Sequence, residues 1–260
     1  MSEQKKTKKK KRFYRFLCWC VRTCYKDVQY EGLENLPKEP CIVAGNHAQM
    51  HGPLINELYF PEDKSIWCAN EVTSLKTFPA FAYKDFWPNK PKWIRWFYKG
   101  LAYVIAPLAV YIFKSADSIP VYNDMRFITT FKLTTETLES GKKVVIFPEY
   151  YAPYNEIMSD FNARFVDVAK FYYKKTGKCL KFVPVYHAPT IKKVVIGKPI
   201  EYKGDLPIEE QRVIITEYLK EEITKLAKSL PNHVVVPHDN VSKDKFVTSL
   251  GEPIEKKKRK

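Results

Sequence analysis

Short β-rich apolar segments alternate with longer segments of helical period along this chain, and the alternation limits the folds that it can adopt. Helical period covers residues 126–139, 163–175 and 208–230. The β-rich segments lie at 41–44, 144–147, 182–185 and 194–196. Strands that alternate with helices are typical of an α/β domain. We therefore predict an α/β fold in which helices flank a mixed or parallel sheet.

The N-terminal region predicts an amphipathic helix over residues 13–26. One face would carry Phe13, Phe16, Leu17, Cys20 and Cys24, and the opposite face Arg15, Arg22 and Lys26. Seven Lys or Arg residues precede it within residues 1–12. An aromatic face opposite a basic face fits the surface of an anionic bilayer, although the same period also fits a helix that covers a protein core.

The net charge of +15 comes mainly from the two ends of the chain. Residues 1–12 hold seven basic and one acidic residue, and residues 252–260 hold five and two. The body between them shows no basic-aromatic motif of a known nucleic-acid-binding module. We expect no nucleic-acid partner, and interpret the tails as electrostatic arms that favour an anionic membrane phospholipid surface.

A second apolar run, Leu101–Phe113, is bracketed by Lys99 and Lys114. Thirteen residues are too few to span a bilayer as a helix, and Pro107 would bend it. Six cysteines without a C-x-x-C pair favour a reducing compartment, and Arg15 interrupts any signal-peptide core. These features predict a peripheral or monotopic protein on the cytoplasmic face of the membrane.

The segment AGNHAQMHGP at 44–53 follows a β-rich stretch and is the most informative one for chemistry. His47 would lie at the carboxyl end of a strand, where open α/β sheets bind ligands. A histidine there can act as a general base, or it can be a structural side chain bonded to the backbone. The segment alone leaves both interpretations open.

His47 and His51 are four residues apart, a spacing that on a helix would let both bind one metal ion. Gly52-Pro53 follows directly and favours a loop before a helix instead. No third ligand is obvious from the sequence, in which Glu57 is one candidate. We therefore expect no metal site.

Five phrases in order resemble the glycerolipid acyltransferase superfamily, the PlsC-like proteins that include lysophosphatidic acid acyltransferases. The family's first motif is N-H-x-x-x-x-D-P, and Asn46-His47 with Pro53 match its spacing after the phrase YEGLENLP at 30–37. Further matches are SIPVY at 118–122, GKKVVIFPE at 141–149, FNARFVDVA at 161–169 and IGKPI at 196–200. The resemblance covers roughly residues 28–236.

This resemblance implies that His47, with Asn46 beside it, is catalytic. The family's histidine deprotonates an acceptor hydroxyl, which then attacks an acyl thioester, while an aspartate orients the imidazole. Phe147, Pro148 and Glu149 would line the acceptor site. The resemblance calls for no bound cofactor, with acyl-CoA or acyl-carrier protein as the co-substrate, and the acidic carrier protein would suit a basic surface as partner.

The chain diverges from the family in its catalytic motifs. Gly52 stands at the aspartate position, and Tyr150-Tyr151-Ala152 replaces the Gly-Thr-Arg that normally follows Glu149. Asn123 stands at the position of a second phosphate-binding arginine, with Arg126 three residues further on as its nearest substitute. His51, Glu57 or Glu149 is expected to orient His47 instead.

These observations predict an O-acyltransferase of phospholipid biosynthesis. It would move a fatty acyl group to a lysophospholipid-type acceptor such as 1-acyl-glycerol-3-phosphate. The alternative is a catalytically silent relative that binds membrane lipid or acyl chains. The chain would comprise a basic tail (1–12), a membrane-surface helix (13–27), an acyltransferase-like domain (28–240) and a basic C-terminal tail (241–260).

Overall fold

The computed structural model describes residues 2–25, 28–87, 91–150, 157–239, 241 and 243–254. The chain divides into two compact units. The smaller unit comprises residues 1–26 and 65–130, and the larger unit comprises residues 27–64 and 131–260.

Eight strands and seven α-helices alternate along the described residues. The strands are β1 (Gln29–Glu31), β2 (Cys41–Gly45), β3 (Lys64–Ala69), β4 (Ile119–Val121), β5 (Lys143–Ile146), β6 (Lys181–Ala188), β7 (Lys193–Ile196) and β8 (Ile200–Glu201). The helices are α1 (Ser2–Cys24), α2 (His51–Tyr59), α3 (Phe78–Phe86), α4 (Arg95–Ser115), α5 (Phe127–Glu139), α6 (Asp167–Thr176) and α7 (Ile208–Ser229).

The larger unit contains a mixed sheet with the strand order β1-β7-β6-β2-β5. β2 runs parallel to both β5 and β6, β1 runs parallel to β7, and β7 and β8 run antiparallel to β6. α7 packs on β6 through Ile215, Leu219 and Ile223, which are spaced four residues apart and are fully buried. The predicted class, a mixed α/β sheet with flanking helices, is confirmed.

β2 is an interior strand of this sheet, and every one of its residues is buried. It is a continuous apolar run because it is covered on both faces and has a parallel neighbour on each side. Ile42 is paired with Val144 of β5 and with Phe182 of β6. The strand ends at Gly45, where a Cβ atom would lie 2.7 Å from Cε1 of the His187 ring.

The smaller unit pairs α3 with α4 and β3 with β4. Ala102, Ala106 and Val110 form the buried face of α4 and pack in one cluster with Phe78 and Ala82 of α3. Their i, i+4 spacing places them on one side of the helix. β3 and β4 are parallel, with Trp67 opposite Ile119.

The length expected for the second apolar run is wrong, because the helix is not limited to the aliphatic residues. α4 extends over 21 residues, and together with the turn before it the segment Lys92–Ser115 is long and apolar enough to cross a membrane. Trp96, Phe97 and Tyr98 lengthen it at its N-terminal end, and the helix continues through Pro107.

The N-terminal helix is present and is longer than the predicted amphipathic segment. α1 begins at Ser2, within the stretch interpreted as a basic tail, and ends at Cys24. Tyr14 is buried, whereas Phe13, Phe16 and Trp19 are exposed. The ring of Phe13 lies 5.6 Å from that of Tyr111 on α4. The four-part division of the chain stays a prediction.

Candidate active site

The site is built where β2 ends, and Asn46 is its first polar side chain. Asn46 is 2% exposed and bonds to the neighbouring strand β6. Its Nδ2 donates to the main-chain oxygen of His187 at 3.0 Å, and its Oδ1 accepts from the main-chain N–H of His187 at 2.6 Å. Asn46 therefore holds the strand end in register with β6 through both ends of its amide.

The buried ring of His187 continues this network. Its Nδ1 lies 3.2 Å from Asn46 Oδ1, and its Nε2 lies 2.6 Å from Asn56 Nδ2 on α2. An amide N–H₂ only donates, so Nε2 of His187 accepts and Nδ1 carries the proton. Burial lowers the pKa of His187 to about 3, which keeps the ring neutral.

His47 follows Asn46 and lies in a tight turn before α2. Ala48 and Gln49 both adopt the left-handed conformation, with φ of 47° and 54°. The chain folds back so that Gly52 N–H donates to His47 O at 3.0 Å and His51 N–H donates to Ala48 O at 3.1 Å. The turn brings the main-chain carbonyl of Gln49 onto the His47 ring.

His47 Nδ1 is hydrogen-bonded to that Gln49 carbonyl. A carbonyl oxygen only accepts, so in the neutral ring Nδ1 carries the proton and Nε2 is unprotonated. Burial, and secondarily the charge of His238, lower the pKa of His47 to about 4. The ring is therefore neutral at pH 7, with Nε2 able to accept a proton.

Glu149 braces the turn from the end of β5. Its carboxylate accepts the main-chain N–H of His47 at 2.5 Å and that of Ser159 at 2.9 Å. Burial outweighs these two donors and raises the pKa of Glu149 to about 7. The carboxylate binds the backbone of His47, whereas the ring is bound through Gln49.

Two rings contact the imidazole of His47. Phe147 lies 5.1 Å away at 65°, and the His238 ring lies 5.0 Å away at 79°. Phe147 also lies 5.7 Å from the His187 ring and so contacts both histidines. His238 belongs to the C-terminal segment, and neighbouring Pro237 O accepts the N–H of Gln49 at 3.1 Å.

Gly52, at the aspartate position of the family motif, has no room for a side chain. A Cβ atom there would lie 2.7 Å from His47 O, 2.8 Å from Asn46 O and 2.8 Å from the Phe147 ring. Two of these three neighbours are backbone atoms that cannot rotate away. Atoms of the turn therefore occupy the space that an aspartate side chain at this position would need.

The remaining predicted residues lie in different surroundings. His51 is the first residue of α2, and Glu57 forms a 2.9 Å ion pair with Lys64. Pro148 O accepts the N–H of Asn162 at 2.9 Å. Arg126, in the smaller unit, is exposed and forms a 2.7 Å ion pair with Asp124.

Among the described residues, no group of three or more His, Cys, Asp or Glu side chains is arranged to hold a metal ion. Tyr151-Ala152, at the Thr-Arg positions of the family phrase, lies outside the described residues. The acceptor-binding assignments of Phe147, Pro148, Glu149 and Arg126 stay predictions.

No family model and no curated protein matches this sequence. Among solved structures, the crystal structure of the 1-acyl-sn-glycerophosphate (LPA) acyltransferase PlsC from Thermotoga maritima is similar to it. The two chains are 20% identical, and the match covers 85% of this chain and 79% of that one with a TM-score of 0.47.

Sequence reasoning missed His187, Asn56, His238 and the Gln49 carbonyl. His187 had a signal, because it is a polar residue close to the end of a β-rich run, as Asn46 is. Asn56 lies one helical turn after Gly52, on the face that α2 buries. His238 and the Gln49 carbonyl reach the site through a tertiary contact and a left-handed turn, which no spacing indicates.

We predict that restoring the motif aspartate with Gly52→Asp destabilises the protein, as does Gly52→Ala. Either side chain meets backbone atoms at under 3 Å. Forced overpacking of this kind costs about 2 kcal/mol in the free energy of unfolding. Gly100→Ala is the matched control, since nothing lies within 4 Å of its Cβ position on α4. Chemical denaturation that shows Gly52→Ala as stable as the wild type would contradict the prediction.

The raised pKa of Glu149 leads to a second prediction, on how the stability of the protein depends on pH. Because its pKa is about 7 in the folded protein and 4.5 in the reference state, its contribution to stability is present below pH 4.5 and is lost as pH rises to about 7. The stability advantage of the wild type over Glu149→Gln should therefore shrink between these pH values. Urea denaturation of both proteins at several pH values measures it, and a constant difference would refute it.

Proposed function

We propose that this protein is an acyltransferase that moves a fatty acyl group from an acyl thioester to a lysophospholipid-type acceptor such as 1-acyl-glycerol-3-phosphate. The observation that carries the proposal is the state of His47. It is a neutral imidazole at the carboxyl end of a central strand, with Nδ1 engaged by a carbonyl and Nε2 unprotonated. The motif resemblance supplies the reaction class.

The proposed reaction uses Nε2 of His47 as a general base. Nε2 takes the proton of the acceptor hydroxyl as its oxygen attacks the thioester carbonyl carbon. The carbon–sulfur bond then breaks, and the departing thiolate recovers the proton from the imidazolium. The ester and the free thiol are the products, and the histidine ends neutral as it began. No bound metal or redox cofactor enters this balance.

Asn46, Glu149 and Phe147 would act on the base by holding its loop and ring. Asn46 fixes the strand end, Glu149 fixes the backbone of His47, and Phe147 covers one side of the ring. A positioned base loses far less entropy in the transition state than a mobile one. The donor, acyl-CoA or acyl-carrier protein, belongs to the same proposal.

Arg126 is the proposed contact for an acceptor phosphate, and it is already paired. Its guanidinium bonds to Asp124 through Nε and Nη2 and lies over the Tyr122 ring at 4.4 Å. These hydrogen bonds lower the pKa of Asp124 to about 2. A phosphate would have to displace that carboxylate, so acceptors with another head group belong in the test.

We predict that His47→Gln lowers acyl transfer by at least about 10²-fold, the usual contribution of a general base. The rate is measured with purified protein in liposomes and a labelled acyl thioester. The acceptors are a panel of lysolipids that includes lysophosphatidic acid. An unchanged midpoint of unfolding in the variant would show that the loss is chemical. Absence of product from every acceptor, with liposome binding intact, would favour the silent lipid-binding alternative.

The smaller unit supports a second part of the proposal, attachment to the membrane phospholipid surface at the cytoplasmic side. α4 exposes Trp96, Tyr103 and Val104, with exposed fractions of 75%, 70% and 76%, and Val104 lies on the side opposite the buried Ala102 and Ala106. α1 exposes Phe13, Phe16 and Trp19. Aromatic side chains next to Lys and Arg suit the interface of a bilayer.

We predict that Val104→Glu weakens liposome binding about tenfold, because burying a valine is worth roughly 1.5 kcal/mol. Val213→Glu is the matched control, since Val213 is also a helical valine and is 63% exposed in the larger unit. Co-sedimentation with vesicles of phosphatidylglycerol and phosphatidylcholine measures both. Equal binding by the two variants would refute a membrane-facing α4.

A further inference from the structure

A main-chain carbonyl, and not a carboxylate, is bonded to the imidazole of His47. The motif position at which the family has its aspartate is Gly52 in this chain. Gly52 cannot carry a side chain, because its Cβ position is occupied on three sides. The acceptor for Nδ1–H is the carbonyl of Gln49 instead. The question is what holds that carbonyl in place.

The turn that presents the carbonyl is strained. Ala48 and Gln49 are consecutive non-glycine residues with positive φ. L-residues avoid this conformation because Cβ approaches the neighbouring carbonyl oxygen, and such geometry persists only where the surroundings enforce it. Some other part of the protein must therefore hold the turn.

The C-terminal segment 234–239 supplies this restraint. Pro237 O accepts the main-chain N–H of Gln49 at 3.1 Å, and Asp239 O accepts from Gln49 Nε2 at 3.3 Å. Ala48 is fully buried against Val236 and Phe246. Both residues of the turn are thus fixed by chain that lies about 190 residues further on.

The segment is itself held at its N-terminal end. Val235 N–H donates to Val247 O, and Ser249 N–H donates to the main-chain oxygen of His233, at 2.9 Å and 2.8 Å. The His233 ring lies 2.9 Å from the hydroxyl of buried Tyr186 on β6. The segment therefore connects the turn to the sheet that carries Asn46.

We propose that the C-terminal segment 234–239, acting through the Gln49 carbonyl, is the positioning element that replaces the motif aspartate and fixes His47 as the Nδ1–H tautomer. This inference rests on the proposed function for its catalytic meaning. Gln49, Pro237 and Asp239 are positioning residues, since they act on the reaction through His47. A carbonyl can orient the ring as a carboxylate does. Because it carries no full charge, it stabilises the imidazolium less than a carboxylate would.

The tautomer can be read without any activity. Long-range ¹H–¹⁵N correlation spectra of ¹⁵N-histidine-labelled protein distinguish a protonated from an unprotonated ring nitrogen, and His47→Gln assigns the signal among the five histidines. We expect His47 at pH 7 with Nδ1 protonated and Nε2 unprotonated. A population of the Nε2–H tautomer comparable to or larger than that of the Nδ1–H form would overturn the inference.

Two substitutions of Gln49 separate the effect of its backbone conformation from the effect of its side chain. Gln49→Val and Gln49→Gly both lose the side-chain bond to Asp239, but only glycine adopts positive φ without strain. We expect Gln49→Val to mix the tautomers and to have a kcat about 10²-fold below that of Gln49→Gly, with similar KM, since the base is misplaced. Equal tautomer populations and equal kcat in the two variants would overturn the inference.

Lys192→Val is the control for strain in general. Lys192 also has positive φ, at 57°, and lies in the turn between β6 and β7. The Lys192→Val substitution should lower the stability of the protein without changing the ¹⁵N signals of the His47 ring. A wild-type protein with the Nδ1–H tautomer but no acyl transfer would leave the positioning of the ring established and would refute only the proposed function.

Discussion

Both ends of the Asn46 amide bond to one residue of the neighbouring strand, His187, and the site depends on this pair of bonds. β2 is apolar and buried along its whole length, so Asn46 is the first polar side chain after the strand. A buried amide is stable only when its groups are paired, and pairing it with the main chain of β6 fixes the point at which the strand stops. His47 is the next residue, and its loop starts from that fixed point.

Three buried titratable groups surround this point, two histidines whose pKa is lowered and one glutamate whose pKa is raised. Burial holds His47 and His187 neutral and also favours the neutral form of Glu149. At neutral pH the two rings carry no charge and Glu149, with a pKa of about 7, is about half ionised, while amide groups and a main-chain carbonyl orient both rings. Dipoles of this kind orient side chains without the desolvation cost of a buried ion. A backbone carbonyl in place of a carboxylate fits this pattern.

Particular residues show how far the sequence could predict the site. Asn46 and His47 are indicated because a polar pair follows an apolar strand, and Glu149 is indicated because it ends the matching phrase that contains β5. His51, Glu57 and Glu149 are the alternatives that the sequence offers for orienting the imidazole. The structure places Glu57 in an ion pair with Lys64 and gives the His47 ring the Gln49 carbonyl as its hydrogen-bond acceptor. Spacing cannot reveal a main-chain acceptor, because every residue has one.

The sequence by itself determined the α/β class, the central strands and the position of His47, since these follow from hydrophobic period and from local order along the chain. The tertiary structure decided how His47 is oriented. Residues 237–239 reach the turn at Gln49 from the far end of the chain, and Ala48 is buried against Phe246. Left-handed backbone at two non-glycine residues needs such distant support, so it cannot be deduced from the local sequence.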